Sequence, residues 1–181
     1  MMKIVKLMVG PMASNCYIAW DEDTKDAVII DPGFEDDRIM ETVEKHGLKV
    51  DKILLTHGHF DHIGGLEKTK AQTGAKVYIY ADDADTLTSA GKNLSTMVGQ
   101  PMNPGPADVL LHDGDEVEIS PNIKLTTIHT PGHTVGSCCF VGEDVIFSGD
   151  TLFEGSIGRT DFPGGSYEDM MKSLSRLMTY D

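Results

Sequence analysis

Apolar positions in the first third of the chain come in short runs bounded by turn residues. Residues 3–9, 16–20 and 27–31 each read as a strand, separated by Gly10-Pro11 and the acidic stretch 21–26, and closed by the turn signal Asp31-Pro32-Gly33. In 37–46 the pattern changes: apolar residues stand at 39, 40 and 43, a helical spacing that Gly47 stops. The spacing then predicts a strand at 52–55, a helix at 66–73 ended by Gly74, a strand at 77–80 and a helix at 82–90. Residues 91–108, with Pro101, Pro104 and Pro106, predict a long excursion of the kind that carries function in compact domains. Beyond it 116–119, 123–129, 137–141 and 144–147 read as strands, and Ser166 can cap a helix from 167 to about 178. Strand and helix alternate in the first half, and strands dominate the second. That order predicts an α/β fold with two sheets face to face and helices outside, a four-layer αββα sandwich formed as one domain over residues 1–181.

The strand at 52–55 runs straight into Thr56-His57-Gly58-His59-Phe60-Asp61-His62, four nitrogen and oxygen donors within six residues. A single histidine in a loop is ordinarily solvated or hydrogen bonded; four donors crowded behind a buried strand point instead to metal ligation. Two later groups also follow apolar runs: His133 in Thr130-Pro131-Gly132-His133-Thr134, and Asp150 in Ser148-Gly149-Asp150-Thr151. Loops held by a rigid scaffold could bring all three to one sandwich edge. These six donors exceed the three protein ligands of a single catalytic zinc, so two divalent ions are the natural count. Alternate spacing can point His57 and His59 toward one ion, while Asp61 and His62 splay toward a second and a carboxylate such as Asp150 bridges them.

Other candidates have plainer readings. His46 near a helix end is expected to face the helix dipole, His129 to pack in or on a strand, and His112 to be solvated beside Asp113. Cys138 and Cys139 are expected to pack as core residues rather than ligate, and the ten methionines to fill the core. Arg159, in a glycine-rich loop after Asp150, is balanced between a surface charge and an anion contact.

Composition narrows the function classes. With 40% hydrophobic and 24% charged residues the chain has the makeup of a folded globular protein rather than a disordered one. No apolar run approaches the ~20 residues that span a bilayer, and the N-terminus carries no export pattern, so no membrane partner is expected. A formal net charge of -14 with scattered Lys and Arg argues against nucleic acid. Three cysteines, two of them adjacent, do not make a disulfide framework and fit a cytoplasmic location. The expected partner is a small-molecule substrate, bound by a monomer or homodimer.

His57-x-His59-x-Asp61-His62 resembles the hallmark motif of the metallo-β-lactamase superfamily. Thr130 to Thr134, Ser148 to Phe153 and Gly158-Arg159-Thr160-Asp161 resemble its short glyoxalase II-like hydrolases in particular, over nearly the whole chain. The resemblance implies His57, His59 and His133 at one metal, with Asp61, His62 and Asp150 at the other and Asp150 bridging. It also implies a further histidine at the second metal, on a strand beyond the C-terminal helix. The sequence stops at Asp181, so the expectation is a sandwich lacking that strand, or a second metal bound weakly with water completing its shell. Relatives that bind glutathione carry Lys where Arg159 stands and Tyr where Asp161 stands.

The activity these residues lead us to expect is hydrolysis of a small thioester, such as a hydroxyacyl-glutathione. Bound water would be converted to hydroxide, Asp61 would orient it, and Arg159 would contact a substrate carboxylate. Zinc is the expected metal, with iron or manganese compatible with the same His and Asp donors. Two rivals stand beside this reading: a persulfide dioxygenase with one iron, and a metal-dependent binding protein without turnover.

Overall fold

The computed structural model describes residues 1–180. A six-stranded sheet begins with the antiparallel pair β1 (Met2–Val9) and β2 (Ser14–Asp21), joined in register from Met2↔Asp21 to Val9↔Ser14, and continues through β3 (Asp26–Ile30). Strands β4 (Lys49–Leu55), β5 (Lys76–Tyr80) and β6 (Val109–Leu111) then add in parallel, each reached by a crossover. The second sheet is antiparallel, in the order β10 (Ile146–Phe147), β9 (Cys138–Val141), β8 (Ile123–His129), β7 (Glu116–Ser120). Helix α1 (Asp37–His46) is capped by the Asp36 carboxylate and stopped by Gly47 in the left-handed region, φ 63°. Between β4 and β5 lie one turn of helix, α2 (Phe60–Ile63), and α3 (Leu66–Thr73); α4 (Tyr167–Leu177) is capped by Ser166.

Two apolar layers hold these parts. Ile39 and Val43 of α1 and Leu66 of α3 meet Ile18, Ile29, Ile53 and Ile79 on the outer face of the large sheet. Val28, Ile30 and Leu54, from the other face, meet Leu125, Phe140 and Phe147 of the small sheet. Successive residues of a strand point to opposite faces, so Ile29 and Ile30 serve different layers, and a strand covered on both sides reads as an unbroken apolar run. The αββα expectation is met: α4 lies against the small sheet, Arg176 donating to His129 O of β8 and Leu174 and Leu177 lining one recess with Ile146 of β10, which makes a four-layer α/β sandwich. No helix among the described residues is long and apolar enough to cross a membrane.

Several local features differ from the sequence reading. Residues 81–88 form a 3₁₀ helix rather than an α-helix. The apolar stretch 144–147 pairs only at Ile146 and Phe147. Strand β6 and the small hairpin β11 (Leu152–Phe153) with β12 (Ser156–Ile157) are too short to show a period. The methionines are the clearest correction. Only Met170 is fully buried, while Met8, Met12, Met97, Met171 and Met178 are exposed. Burying a methionine costs about 1.5–2 kcal/mol of rotamer freedom, so methionine content alone does not locate a core.

The topology aims the functional loops. The parallel strands β3, β4 and β5 end on one rim, carrying Asp31, Thr56-His57 and the 3₁₀ helix beyond Tyr80. Strands β8 and β10 each pair antiparallel with β9, so their carboxyl ends also share a rim, carrying Thr130 to Thr134 and Ser148 to Asp150. Cys138 N–H donates to Thr56 O at 2.9 Å, joining the two rims into one. Sites outside the carboxyl ends of strands are the general rule for such sheets.

Candidate metal centre

His57, His59 and His133 form one group of ligand atoms within 4.8 Å of one another, and His57, His62 and Asp150 form another. His59 Nδ1 lies 2.9 Å from His133 Nε2. Asp150 faces both groups, with Oδ1 3.0 Å from His62 Nε2 and Oδ2 3.4 Å from His133 Nε2, the placement a bridging carboxylate needs. Asp61 stands beside the second group, its Oδ2 3.6 Å from His62 Nε2, and accepts a 2.8 Å hydrogen bond from Ser14 Oγ. The six donors picked out in the sequence are thus brought together.

His57 Nε2 is buried in the middle of this cluster with no hydrogen-bond partner among the described residues. An unmet buried acceptor costs about 1–3 kcal/mol, and a cation at this point would satisfy it. Electrostatics agree with the geometry. Burial, reinforced by the neighbouring imidazoles, pushes His57 well below its ordinary pKa, and it brings His59 down to about 3, so both rings are neutral at pH 7, the form that can ligate a metal. Burial also works against a charged His62, yet Asp31 and Asp150, one at each ring nitrogen, hold it well above the usual value. For Asp150 the burial penalty is outweighed by His62 and its neighbours, which keep the carboxylate ionised.

Three of the four imidazoles are oriented from behind, His57 by Thr56 Oγ1 at 3.2 Å from its Nδ1. His62 Nδ1 is 2.9 Å from Asp31 Oδ2, and Asp31 also accepts from Thr56 N–H at 2.8 Å and Thr56 Oγ1 at 2.6 Å. Asp31 has φ 51°, a left-handed conformation that Asp tolerates better than most residues. His133 Nδ1 meets the carbonyl of Arg159 at 2.7 Å. Main-chain crowding fixes that carbonyl: a Cβ on Gly158 would fall 1.7 Å from Asp150 O, so only glycine lets the two loops touch.

Asp83 acts on the other side. It is buried and accepts from Gly58 N–H at 3.2 Å, Thr134 Oγ1 at 2.8 Å and Gly136 N–H at 2.8 Å, tying the His57–His59 loop to the His133 loop. Burial pushes its carboxyl up against the pull of these three donors. Asp83→Ala is expected to weaken binding of the first metal about 10–100-fold, the usual effect of losing an outer partner. Chelator competition would measure it, with circular dichroism to confirm folding.

Neither Asp31 nor Asp83 was singled out as a site residue from sequence. For Asp31 a signal existed: an acid directly behind the buried run Ala27 to Ile30, as Thr56-His57 stands behind β4. For Asp83 none did, because Asp82, Asp83 and Asp85 are alike in sequence. Arg159 contributes its main chain to the centre. Its guanidinium forks onto Asp161 at 2.8 and 2.7 Å, lies 4.1 Å over the Phe162 ring and lines neither recess beside Asp61.

The remaining candidates are structural. His46 lies 5.0 Å from Trp20 in the last turn of α1, His129 stacks on Tyr80 at 4.2 Å, and His112 is exposed. Cys138 and Cys139 are both fully buried, because β9 is covered on both faces, and burial raises both thiols, Cys139 to about 11. Cys139→Ser is expected to keep turnover within about twofold and to cost about 1 kcal/mol of stability, since the hydroxyl can donate to Ser148 O. A rate assay and a melting curve check this.

Two recesses open on either side of Asp61. One, of about 580 Å³, is polar and includes Lys6, Ser14, Asn15, Tyr17 and Asp150. The other, of about 200 Å³, is apolar and includes Met12, Phe34, Phe60 and Met102.

Comparison with known proteins agrees with this architecture. The chain is 38% identical to the probable metallo-hydrolase YqgX of Bacillus subtilis, across 98% of this chain and 85% of that one. It is 34% identical to the hydroxyacylglutathione hydrolase GloC of Haemophilus influenzae, across 96% and 82%. The crystal structure of BLEG-1 B3 metallo-beta-lactamase superposes with a TM-score of 0.89 at 34% identity, covering 96% of this chain and 84% of that one. The family model of the metallo-beta-lactamase superfamily matches residues 9–181. The chain belongs to the metallo-beta-lactamase superfamily.

Proposed function

We propose that this protein hydrolyses a small thioester, using two divalent cations held by His57, His59 and His133 and by Asp61, His62 and Asp150. The observation that carries this reading is the buried, unpartnered His57 Nε2 at the meeting point of both donor groups, with open recesses directly beside Asp61. Cations held there would lower the pKa of a bound water to about 7 and polarise the scissile carbonyl.

The chain's own groups supply the rest. Asp61 is fixed by Ser14 and partly exposed to both recesses, so its carboxylate can orient water and accept its proton. Asp31 keeps His62 Nε2 turned inward, and the Arg159 carbonyl does the same for His133. The polar recess is lined by Lys6, the hydroxyls of Ser14, Tyr17 and Ser148, Asn15 and Glu154 as well as by the candidate ligands. A thiolate, with an unperturbed pKa of about 8.5, departs without an obligatory general acid, whereas an amide nitrogen needs one. Zinc is our choice of metal, although His and Asp donors also accept iron or manganese. The similarity to GloC supports a hydroxyacyl-glutathione among the substrates to be tried first. Arg159 enters this reading as a contact to a substrate anion only by exchanging its Asp161 partner.

Metal analysis of protein purified without added metal, with S-lactoylglutathione and other small thioesters as substrates, tests the proposal. Two equivalents of metal and release of thiol are expected. One iron with oxygen uptake from a persulfide would replace it with dioxygenase chemistry, and metal binding without either turnover would leave a binding protein.

A further inference from the structure

The excursion 91–108 contributes none of the six candidate ligands, yet it is firmly built. Asn93 is fully buried; its Nδ2 donates to Thr86 O and Met102 O, both at 2.9 Å, and its Oδ1 accepts from Ser95 N–H. Its carbonyl accepts from Phe60 N–H at 2.9 Å, which pins the excursion to the turn that carries Asp61 and His62. Leu94 is held at φ 66°, where a branched side chain sits only under constraint. What this anchoring positions is part of a wall: Val98, Gln100 and Met102 line the apolar recess together with Met12, Phe34 and Phe60. Asp61 is the one charged residue lining it. Met12, Phe34 and Val98, from three separate segments, are exposed at 62%, 42% and 48%. Exposed apolar groups gathered around a concave opening mark a ligand surface rather than scatter.

We infer that the apolar recess receives the acyl chain of the substrate, so that the preferred thioesters carry short, apolar acyl groups while the thiol part lies in the polar recess. The inference rests on the hydrolase reading and specifies its substrate. Cleavage forms a bond from the water oxygen to the carbonyl carbon and breaks the carbon–sulfur bond. The electron pair leaves on sulfur, and the products are a carboxylate, a thiolate and two protons. One charge falls on sulfur, where Lys6 and solvent can meet it, and the other stays on the carboxylate at the reacting carbon, so only the alkyl tail of the acyl group remains uncharged and suits an apolar recess. The apolar recess, about 200 Å³ against about 580 Å³ for the polar one, is the smaller of the two and suits a short chain.

The experiment compares acetyl, butyryl, hexanoyl and decanoyl thioesters of N-acetylcysteamine on the metal-loaded protein. Each buried methylene is expected to raise kcat/KM about fourfold, with a plateau beyond hexanoyl. Val98→Asp, a change at an exposed position, is expected to flatten the series. Independently of turnover, the non-hydrolysable hexanoyl amide is expected to shift the ¹³C-methyl resonance of Met102, which lines the apolar recess and not the polar one, together with that of Met12, which lines both, but not those of Met1 and Met178. Thioester cleavage with no dependence on chain length overturns the inference and leaves the hydrolase reading standing. Absent cleavage with shifted Met12 and Met102 methyls does the reverse, removing the hydrolase while supporting a site for an apolar chain. Unshifted methyls without cleavage overturn both.

Discussion

Replacing His59 with alanine is expected to abolish turnover. His59 Nδ1 meets His133 Nε2 at 2.9 Å across the point where His57 Nε2 has no partner, so its removal opens one side of the first donor group. Losing a residue that merely orients a ligand costs about 10–100-fold in affinity, and losing the ligand itself should exceed the top of that range. The first metal should therefore be lost on dialysis that leaves the parent protein loaded, and thiol release should fall to background. The fold should survive. His59 is neutral in the metal-free protein, so its removal strands no charge. Circular dichroism of metal-free protein would confirm this, and a near-normal rate in the variant would refute the ligand assignment.

The second large effect concerns Asp31. Asp31→Ala removes the acceptor for Thr56 N–H, Thr56 Oγ1 and His62 Nδ1 at once, and places Ala at φ 51°. Breaking a buried ionic pair by deleting one member costs on the order of 3–5 kcal/mol, and the metal-free variant should be destabilised by that amount in urea denaturation. Asp31→Asn separates folding from ligation. Asn also tolerates the left-handed conformation and keeps an oxygen for Thr56 N–H, so stability should fall far less. Its amide NH₂ would face His62 Nδ1, however, and a donor there makes Nδ1 the acceptor and puts the ring proton on Nε2, the atom meant for the metal. The Asn variant is therefore expected to fold, keep the first metal and lose about 10–100-fold affinity at the second. Equal loss at both sites would show that Asp31 supports the loop as a whole rather than the His62 tautomer.

These expectations also show what could be read in advance. His57, His59, Asp61 and His62 were legible because they are local: one short loop behind an apolar strand crowds its donors in sequence as it does in space. His133 and Asp150 had only a strand end and a glycine to mark them, and their part in the cluster depends on two sheets sharing a rim. Asp31 and Asp83 do their work through atoms 25 or more residues away, which no spacing rule reaches. The strand and helix series was largely visible, since both apolar layers repeat with the period of the elements that build them. The two-residue pairings were too brief to carry any period, and the 3₁₀ segment Ala81–Thr88 carries Asp83 to partners far away in sequence, Gly58 and Gly136. Methionine was misjudged for a related reason: its composition says what a side chain can fill, and only the fold says whether it is asked to.

The sharing of one rim by the carboxyl ends of β3, β4, β5, β8 and β10 leaves the far end of the sandwich free of chemistry. There the connections are tight turns, at 22–25, 47–48, 74–75, 121–122 and 142–145, and a Cβ added at Gly47 or Gly74 would touch nothing within 4 Å. Those turns are the natural places to graft a reporter, a surface tether or a fused partner, because the inserted chain would start and finish a full strand length from the reacting atoms.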